Sequence, residues 1–139
     1  LMINMISNET HLRMLYTHTD IMGVVNNVHY LEFFEAGRNE LMRSMGYPYP
    51  ELEAKNVGLP LIDAYVKYIS PAKYDDLIRI VASLKEMPTV RIKIDYEIYV
   101  GDRLAANGYT THSFLDLKKF KPVRPPEDFM DVIKKLMKK

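Results

Sequence analysis

Apolar residues recur along this chain at two spacings, and the change from one to the other divides it into elements. From His11 to Thr17 they alternate, with Leu12, Met14 and Tyr16 on one face, which predicts a short half-buried strand. Around Asn26 the period lengthens. Tyr30, Phe33, Phe34, Gly37, Leu41 and Met45 then fall on one stripe of a helix, with Glu32, Glu35, Asn39 and Arg43 on the other side. Asn26 or Asn27 suits the N-cap, because an Asn side chain accepts from the unpaired amides of a first turn. Gly46, with Pro48 and Pro50, supplies the stop. Gly37 costs about 1 kcal/mol against Ala inside a helix. Its place on the apolar stripe predicts close approach to the surface the helix packs on, a sheet.

After Gly58 the alternation returns and persists. Ile62, Ala64, Val66 and Tyr68 share a face, with Asp63 and Lys67 opposite, and Ser70-Pro71 closes that strand. Ile78, Ile80, Ala82 and Leu84 form the next apolar face, up to a Met87-Pro88 turn. Val90, Ile92, Ile94, Tyr96 and Ile98 alternate with Arg91, Lys93, Asp95 and Glu97 as far as Gly101-Asp102. Residues Arg103 to Leu117 are less polar and hold Ala105, Ala106 and Gly108, as in a strand covered on both faces and crossed by a helix. Pro125-Pro126 opens a C-terminal helix through Phe129, Val132, Ile133, Leu136 and Met137. The order predicts an α+β domain in which an antiparallel sheet wraps one long central helix, with a C-terminal helix added. That domain takes residues 11–139, and residues 1–10 are set apart as an N-terminal segment. One helix covers one face only, so the side bearing Tyr65, Lys67, Arg91 and Lys93 is left to solvent or to a second subunit.

Composition narrows the function classes. The chain has 139 residues, one domain's worth, and 47% hydrophobic residues, enough for a sizeable core. Cys is absent, which removes disulfides, thiolate metal sites and a cysteine nucleophile, and suits a cytoplasmic setting. No apolar run is long enough for a membrane span, and membrane contact is not expected. Net charge is +1, but residues 118–139 carry eight Lys/Arg against three acids. With only Phe120 and Phe129 as stacking rings there, a solvated helix face is the better reading and no nucleic acid is expected.

The segment Thr17 to Tyr30 holds the densest polar chemistry. Asp20 precedes a helix start, where amides point outward with about half a positive charge. Two readings stand. Asp20 caps its own loop, or it faces an electrophile whose carbonyl oxygen those amides hold, which is the machinery for acyl transfer to water. His18, Asp20 and His29 supply at most three ligands on an irregular loop, and no metal is expected. His112 reads as a satisfied core or interface histidine. Ser70, Ser83 and Ser113 lack the context of a serine hydrolase. Phe33, Phe34, Met42 and Met45 read first as core.

The pattern Asp20-x-x-Gly23-Val24-Val25-Asn26-Asn27-x-x-Tyr30, then Phe33-Phe34-Glu35-x-x-Arg38, resembles the hot-dog-fold acyl-CoA thioesterases of the 4-hydroxybenzoyl-CoA thioesterase type, including their Tol-Pal-associated branch. The resemblance continues through Val66-x-Tyr68-x-x-Pro71-Ala72, Asp75-Asp76 and Lys121-Pro122-x-Arg124-x-Pro126, over roughly residues 11 to 127. It implies hydrolysis of an acyl-CoA to free acid and CoA, with no cofactor beyond the coenzyme A of the substrate. It also implies a homodimer or homotetramer, two protomers sharing a continuous sheet, and active sites between them. Asp20 then acts as nucleophile or general base, and amides near Asn27 bind the thioester oxygen. Gly23, Asn26, His29 and Tyr30 shape the substrate pocket, while Thr89 and Arg91 lie where such enzymes contact the nucleotide. Many Tol-Pal members carry His where this chain has Asn27; the Val-Asn-Asn form resembles other members of the fold. Two alternatives stand beside hydrolysis: a non-catalytic acyl-CoA binding or regulatory module, and a hot-dog dehydratase or hydratase.

Overall fold

The alternating segments assemble into a five-stranded antiparallel sheet in a computed structural model that describes residues 4–138. In chain order the elements are β1 (Ile6–Arg13), α1 (Tyr30–Ser44), α2 (Tyr49–Ala54), β2 (Val57–Gly58), β3 (Leu61–Tyr68), β4 (Leu77–Leu84), β5 (Arg91–Val100), β6 (Arg103–Ser113), β7 (Leu115–Asp116), β8 (Lys121–Pro122) and α3 (Glu127–Met137). The main sheet runs β1-β4-β5-β6-β3, and β2, β7 and β8 form a small second sheet. The expected α+β architecture of sheet, central helix and C-terminal helix is the one found.

The helix stripe is realised residue by residue. Asn26 caps a single 3-10 turn, Asn27–His29, its Oδ1 accepting from the Val28 amide at 3.1 Å, and that turn runs straight into α1. Phe33, Phe34, Gly37, Leu41 and Met42 are buried against the sheet. Gly46 stops the helix at φ +79°, a backbone conformation in which L side chains are strained. At Gly37 a Cβ would stand 2.6 Å from Ile80 Cγ2, so the close approach the sequence predicts is to β4. Overpacking of this kind costs about 1–3 kcal/mol. Gly37→Val is therefore expected to lower the unfolding free energy by about 2 kcal/mol, read from urea denaturation; unchanged stability would contradict the contact.

The inner faces of β4 (Ile78, Ile80, Ala82, Leu84) and β5 (Ile92, Ile94, Tyr96, Ile98) are sealed, as the alternation requires. Phe34 lies flat on Tyr96, ring centres 4.2 Å apart, and its edge closes over Gly108 of β6. Phe129, Ile133 and Met137 of α3 complete the core at the far end, whereas Leu136 is exposed rather than buried.

Three expectations need correction. The first strand is Ile6–Arg13, not His11–Thr17, so residues 6–10 belong to the sheet and Tyr16 sits exposed in a 3-10 turn. The segment Arg103–Leu117 breaks at Phe114, leaving β6 for the main sheet and β7 for the small one. Ala64, Val66 and Tyr68 do share the inner face, by their pairing with β6, but the register shifts at Ile62, which has no partner there; Ile62 is 40% and Tyr68 49% exposed. The reason is position: α1 lies chiefly over β1 and β4, and β3 is the edge strand beyond its reach.

Candidate active site

The segment between β1 and α1 is folded on itself by short hydrogen bonds. Thr19 and Val25 form an antiparallel bridge, and Val24 bridges to Lys73 in the loop before β4. Within that clasp the Gly23 amide donates to the Asp20 carbonyl at 3.0 Å, a turn that needs Gly23 at φ +74°. The Asp20 amide donates to the Val24 carbonyl, and the Met22 amide donates to Asp20 Oδ1 at 2.9 Å. One carboxylate oxygen therefore caps the loop, the structural reading of this residue. Asp20 remains partly exposed.

The helix start sorts its own amides. The Val28 amide is taken by Asn26 Oδ1 and the His29 amide by the Asn26 carbonyl at 3.1 Å. The Asn27 amide has no hydrogen-bond partner among the described residues. Tyr68 at the end of β3 donates its hydroxyl to the Asn27 carbonyl at 3.1 Å, which ties the edge strand to this turn. Tyr30 is buried, with its ring edge-on to Tyr68 and Phe33; burial pushes its phenol above the usual range. It anchors the helix start rather than opening to solvent.

His18 and His29 meet at this turn. The Leu15 amide donates to His18 Nδ1 at 2.9 Å, which places the His18 proton on Nε2. His29 Nδ1 lies 2.8 Å from Glu32 Oε1, so that nitrogen carries a proton. Their rings stand 5.2 Å apart, edge to face, and both contact Phe33. No group of three or more His, Cys, Asp or Glu among the described residues is placed to hold a metal ion.

Thr89 and Arg91 are not part of this cluster within one chain. The Thr89 amide donates to the Arg91 carbonyl, and Arg91 starts β5, whereas the Asp20 loop packs at the end where β5 finishes. Ten residues of strand at about 3.3 Å each separate the two ends by about 30 Å. Thr89 instead lines a cleft with Arg124 and Lys134.

A second polar constellation lies under α1, around His112. His112 is buried, and its Nδ1 reaches the Leu59 carbonyl at 3.1 Å. Since a carbonyl only accepts, Nδ1 carries the proton and Nε2 accepts from the Thr110 hydroxyl at 2.9 Å. Thr110 Oγ1 in turn accepts from Tyr96 Oη at 2.6 Å, and Tyr96 Oη accepts from Arg38 Nη1 at 3.1 Å. The chain of donors runs one way, from Arg38 to the Leu59 carbonyl, and satisfies every member. Burial first, and the nearby Arg38 charge second, lower the His112 pKa to about 4, so the imidazole is neutral. Of the two readings, core or interface, the satisfied core histidine is the one present within this chain; Leu59, Tyr96 and Arg38 are remote from it in sequence, so the network was not legible there.

Residues 15–133 match the model of the thioesterase-like superfamily. The acyl-CoA thioesterase YbgC of Haemophilus influenzae is 27% identical over 118 residues, covering 84% of this chain and 87% of that protein. The acyl-acyl carrier protein thioesterase ATL3 of Arabidopsis thaliana is 28% identical over 123 residues, 86% of this chain and 63% of its own length. Among solved structures, the DHNA-CoA thioesterase of Staphylococcus aureus superposes with a TM-score of 0.88 at 25% identity, covering 94% of this chain and 90% of that one. With the match spanning most of the chain and the central helix in its sheet, the chain belongs to the thioesterase-like superfamily and has the hot-dog fold.

Proposed function

We propose that this protein hydrolyses an acyl-CoA thioester to the free acid and CoA, with Asp20 as the reactive carboxylate. The observations that carry the reading are one side chain and one amide on the same segment: Asp20, held by its own turn and partly exposed, and, further along towards α1, an Asn27 N–H that is uncommitted among the described residues. That amide, at the positive end of the helix, suits the oxygen of a thioester carbonyl, on which negative charge grows as the carbon is attacked. Asp20 either takes a proton from the attacking water or attacks the carbonyl itself, giving a mixed anhydride that water opens. In both routes the C–S bond breaks and CoA leaves as the thiolate, which then takes a proton. Gly23 and Asn26 keep the turn and the cap that aim these groups, while His29 and Tyr30 border them. The family membership and the names of YbgC and the Staphylococcus enzyme support thioester hydrolysis. The ATL3 name keeps an acyl carrier protein open as the carrier.

The site is completed by a second copy. β3 is an eight-residue edge strand whose Leu61, Ile62, Tyr65 and Tyr68 are exposed, the surface that invites pairing with another strand. Antiparallel β3 to β3 pairing about a two-fold axis sets the end of one sheet that bears Asp20 beside the opposite end of its mate. Thr89 and Arg91 of a second copy, out of reach within one chain, come to that side.

Release of free thiol from a panel of acyl-CoA thioesters tests the activity, and absence of turnover on every member would refute it. For the assembly, Val66→Pro removes a β3 ladder group and is expected to yield monomers in sedimentation equilibrium and to abolish turnover together. Retention of the dimer, or full activity in a monomer, would exclude the shared site.

A further inference from the structure

Tyr68 is the last residue of β3 and pairs with Ala106 of β6. Just beyond it the chain is tied down. The Ile69 and Ser70 amides both donate to the Ala105 carbonyl, at 2.9 and 3.1 Å, and the Ser70 hydroxyl donates to the Leu104 carbonyl at 2.7 Å. The Tyr68 ring stands edge-on to that of Tyr30, centres 5.0 Å apart, and Tyr30 is buried. The phenol therefore projects from fixed backbone and leans on a fixed neighbour, although Tyr68 itself is half-exposed. Its hydroxyl donates to the Asn27 carbonyl at 3.1 Å, which also accepts the Tyr30 amide. The turn that receives it has little else to hold it. Asn27 and Val28 are exposed, and the other hydrogen bonds of Asn27–His29 among the described residues are local, made with Asn26 and with α1. Among those residues, Tyr68 alone reaches this turn by a hydrogen bond from the main sheet.

We propose that Tyr68 is a positioning residue for the reaction: by holding the Asn27 carbonyl, it fixes the residue whose N–H meets the thioester oxygen. The inference rests on the thioesterase reading above. The carbonyl and the N–H of Asn27 lie on the two rigid peptide planes that meet at its Cα, so a donor that stops the carbonyl from swinging also limits the swing of the N–H. Direction matters here. A hydrogen bond weakens steeply as its angle closes, and an oxyanion donor is effective when it is aimed before the charge develops. The fold has less need of the Tyr68 hydroxyl, because water can replace it on a carbonyl at the edge of the sheet. Water does not carry the fixed direction that a ring packed on Tyr30 supplies.

Tyr68→Phe keeps the ring against Tyr30 and removes the hydroxyl alone. It is expected to lower kcat on acyl-CoA thioesters about tenfold while KM stays within about twofold, the split left by losing an interaction that serves the transition state only. Melting temperature and mass in sedimentation equilibrium should match the wild type. Tyr65→Phe removes a hydroxyl from the other face of the same strand, where the ring stacks on Tyr109, and should leave kcat within about twofold. A kcat for Tyr68→Phe within about twofold of wild type overturns the proposal. A change confined to KM also overturns it, by assigning the hydroxyl to substrate binding, and so does a loss of rate that comes with dissociation or a lowered melting temperature. Relaxation of the backbone 15N nuclei gives a readout that needs no turnover. The Asn27 amide should be as rigid as those of α1 in the wild type, and its order parameter should fall in Tyr68→Phe while that of Leu41 is unchanged. Equal order parameters at Asn27 in the two proteins overturn the proposal. If no acyl-CoA is hydrolysed, the thioesterase reading fails on its own, and the Asn27 amide still decides whether Tyr68 holds it.

Discussion

Asp20→Asn is expected to reduce kcat/KM for acyl-CoA hydrolysis about 1,000-fold, roughly 4 kcal/mol of transition-state stabilisation. The amide of Asn is close in shape to the carboxylate, and its oxygen can still accept the Met22 N–H that closes the turn. Stability should therefore change little while the chemistry is lost, because an amide neither accepts a proton at neutral pH nor attacks a thioester. The comparison separates the two roles of this residue. A capping carboxylate alone would give a variant with near-wild-type rate, and that result would remove Asp20 from the mechanism. A large loss of rate with an unchanged melting temperature assigns it to the reaction.

The second large effect concerns pH. His112 is neutral in the folded protein with a pKa near 4, whereas in the unfolded chain it titrates near 6.5. Between those values the unfolded state binds the extra proton, so stability falls as pH falls through that window and is complete above it. The shift corresponds to about 3 kcal/mol at most by pH 4, from about 1.4 kcal/mol per unit. Urea unfolding at pH 7, 5.5 and 4.5 should show this decline in the wild type. His112→Gln keeps a donor and an acceptor beside Leu59 and Thr110 but has nothing to protonate, so its decline should be shallower. Parallel curves for the two proteins would show that His112 contributes nothing to acid sensitivity.

How much of this was legible beforehand depends on how local each feature is. The stripe Phe33, Phe34, Gly37, Leu41 and the alternation of Ile78–Leu84 and Ile92–Ile98 are patterns within one element, and they predicted the helix, the strands and the packing at Gly37. β1 was misplaced because Ile6–Arg13 is an edge strand with Glu9, His11 and Arg13 exposed; only Ile6 and Leu12 are large apolar residues, and alternation needs more than two. α2 is six residues, shorter than two helical turns, and between prolines it reads as loop. In the site, the Asp20 to Tyr30 segment was readable because its turn, cap and helix start are contiguous. The Arg38, Tyr96, Thr110 and His112 chain was not, since it joins α1, β5 and β6, which only the packing of the helix on the sheet and the pairing of the two strands bring together. Thr89 and Arg91 were grouped with Asp20 by resemblance, and the sheet's own length parts them.

The exposed border of β3 also bears on how a newly made chain survives. A solitary copy carries a ladder of unsatisfied amides and carbonyls next to Ile62 and Tyr68, the template on which strands of unrelated chains can nucleate fibres.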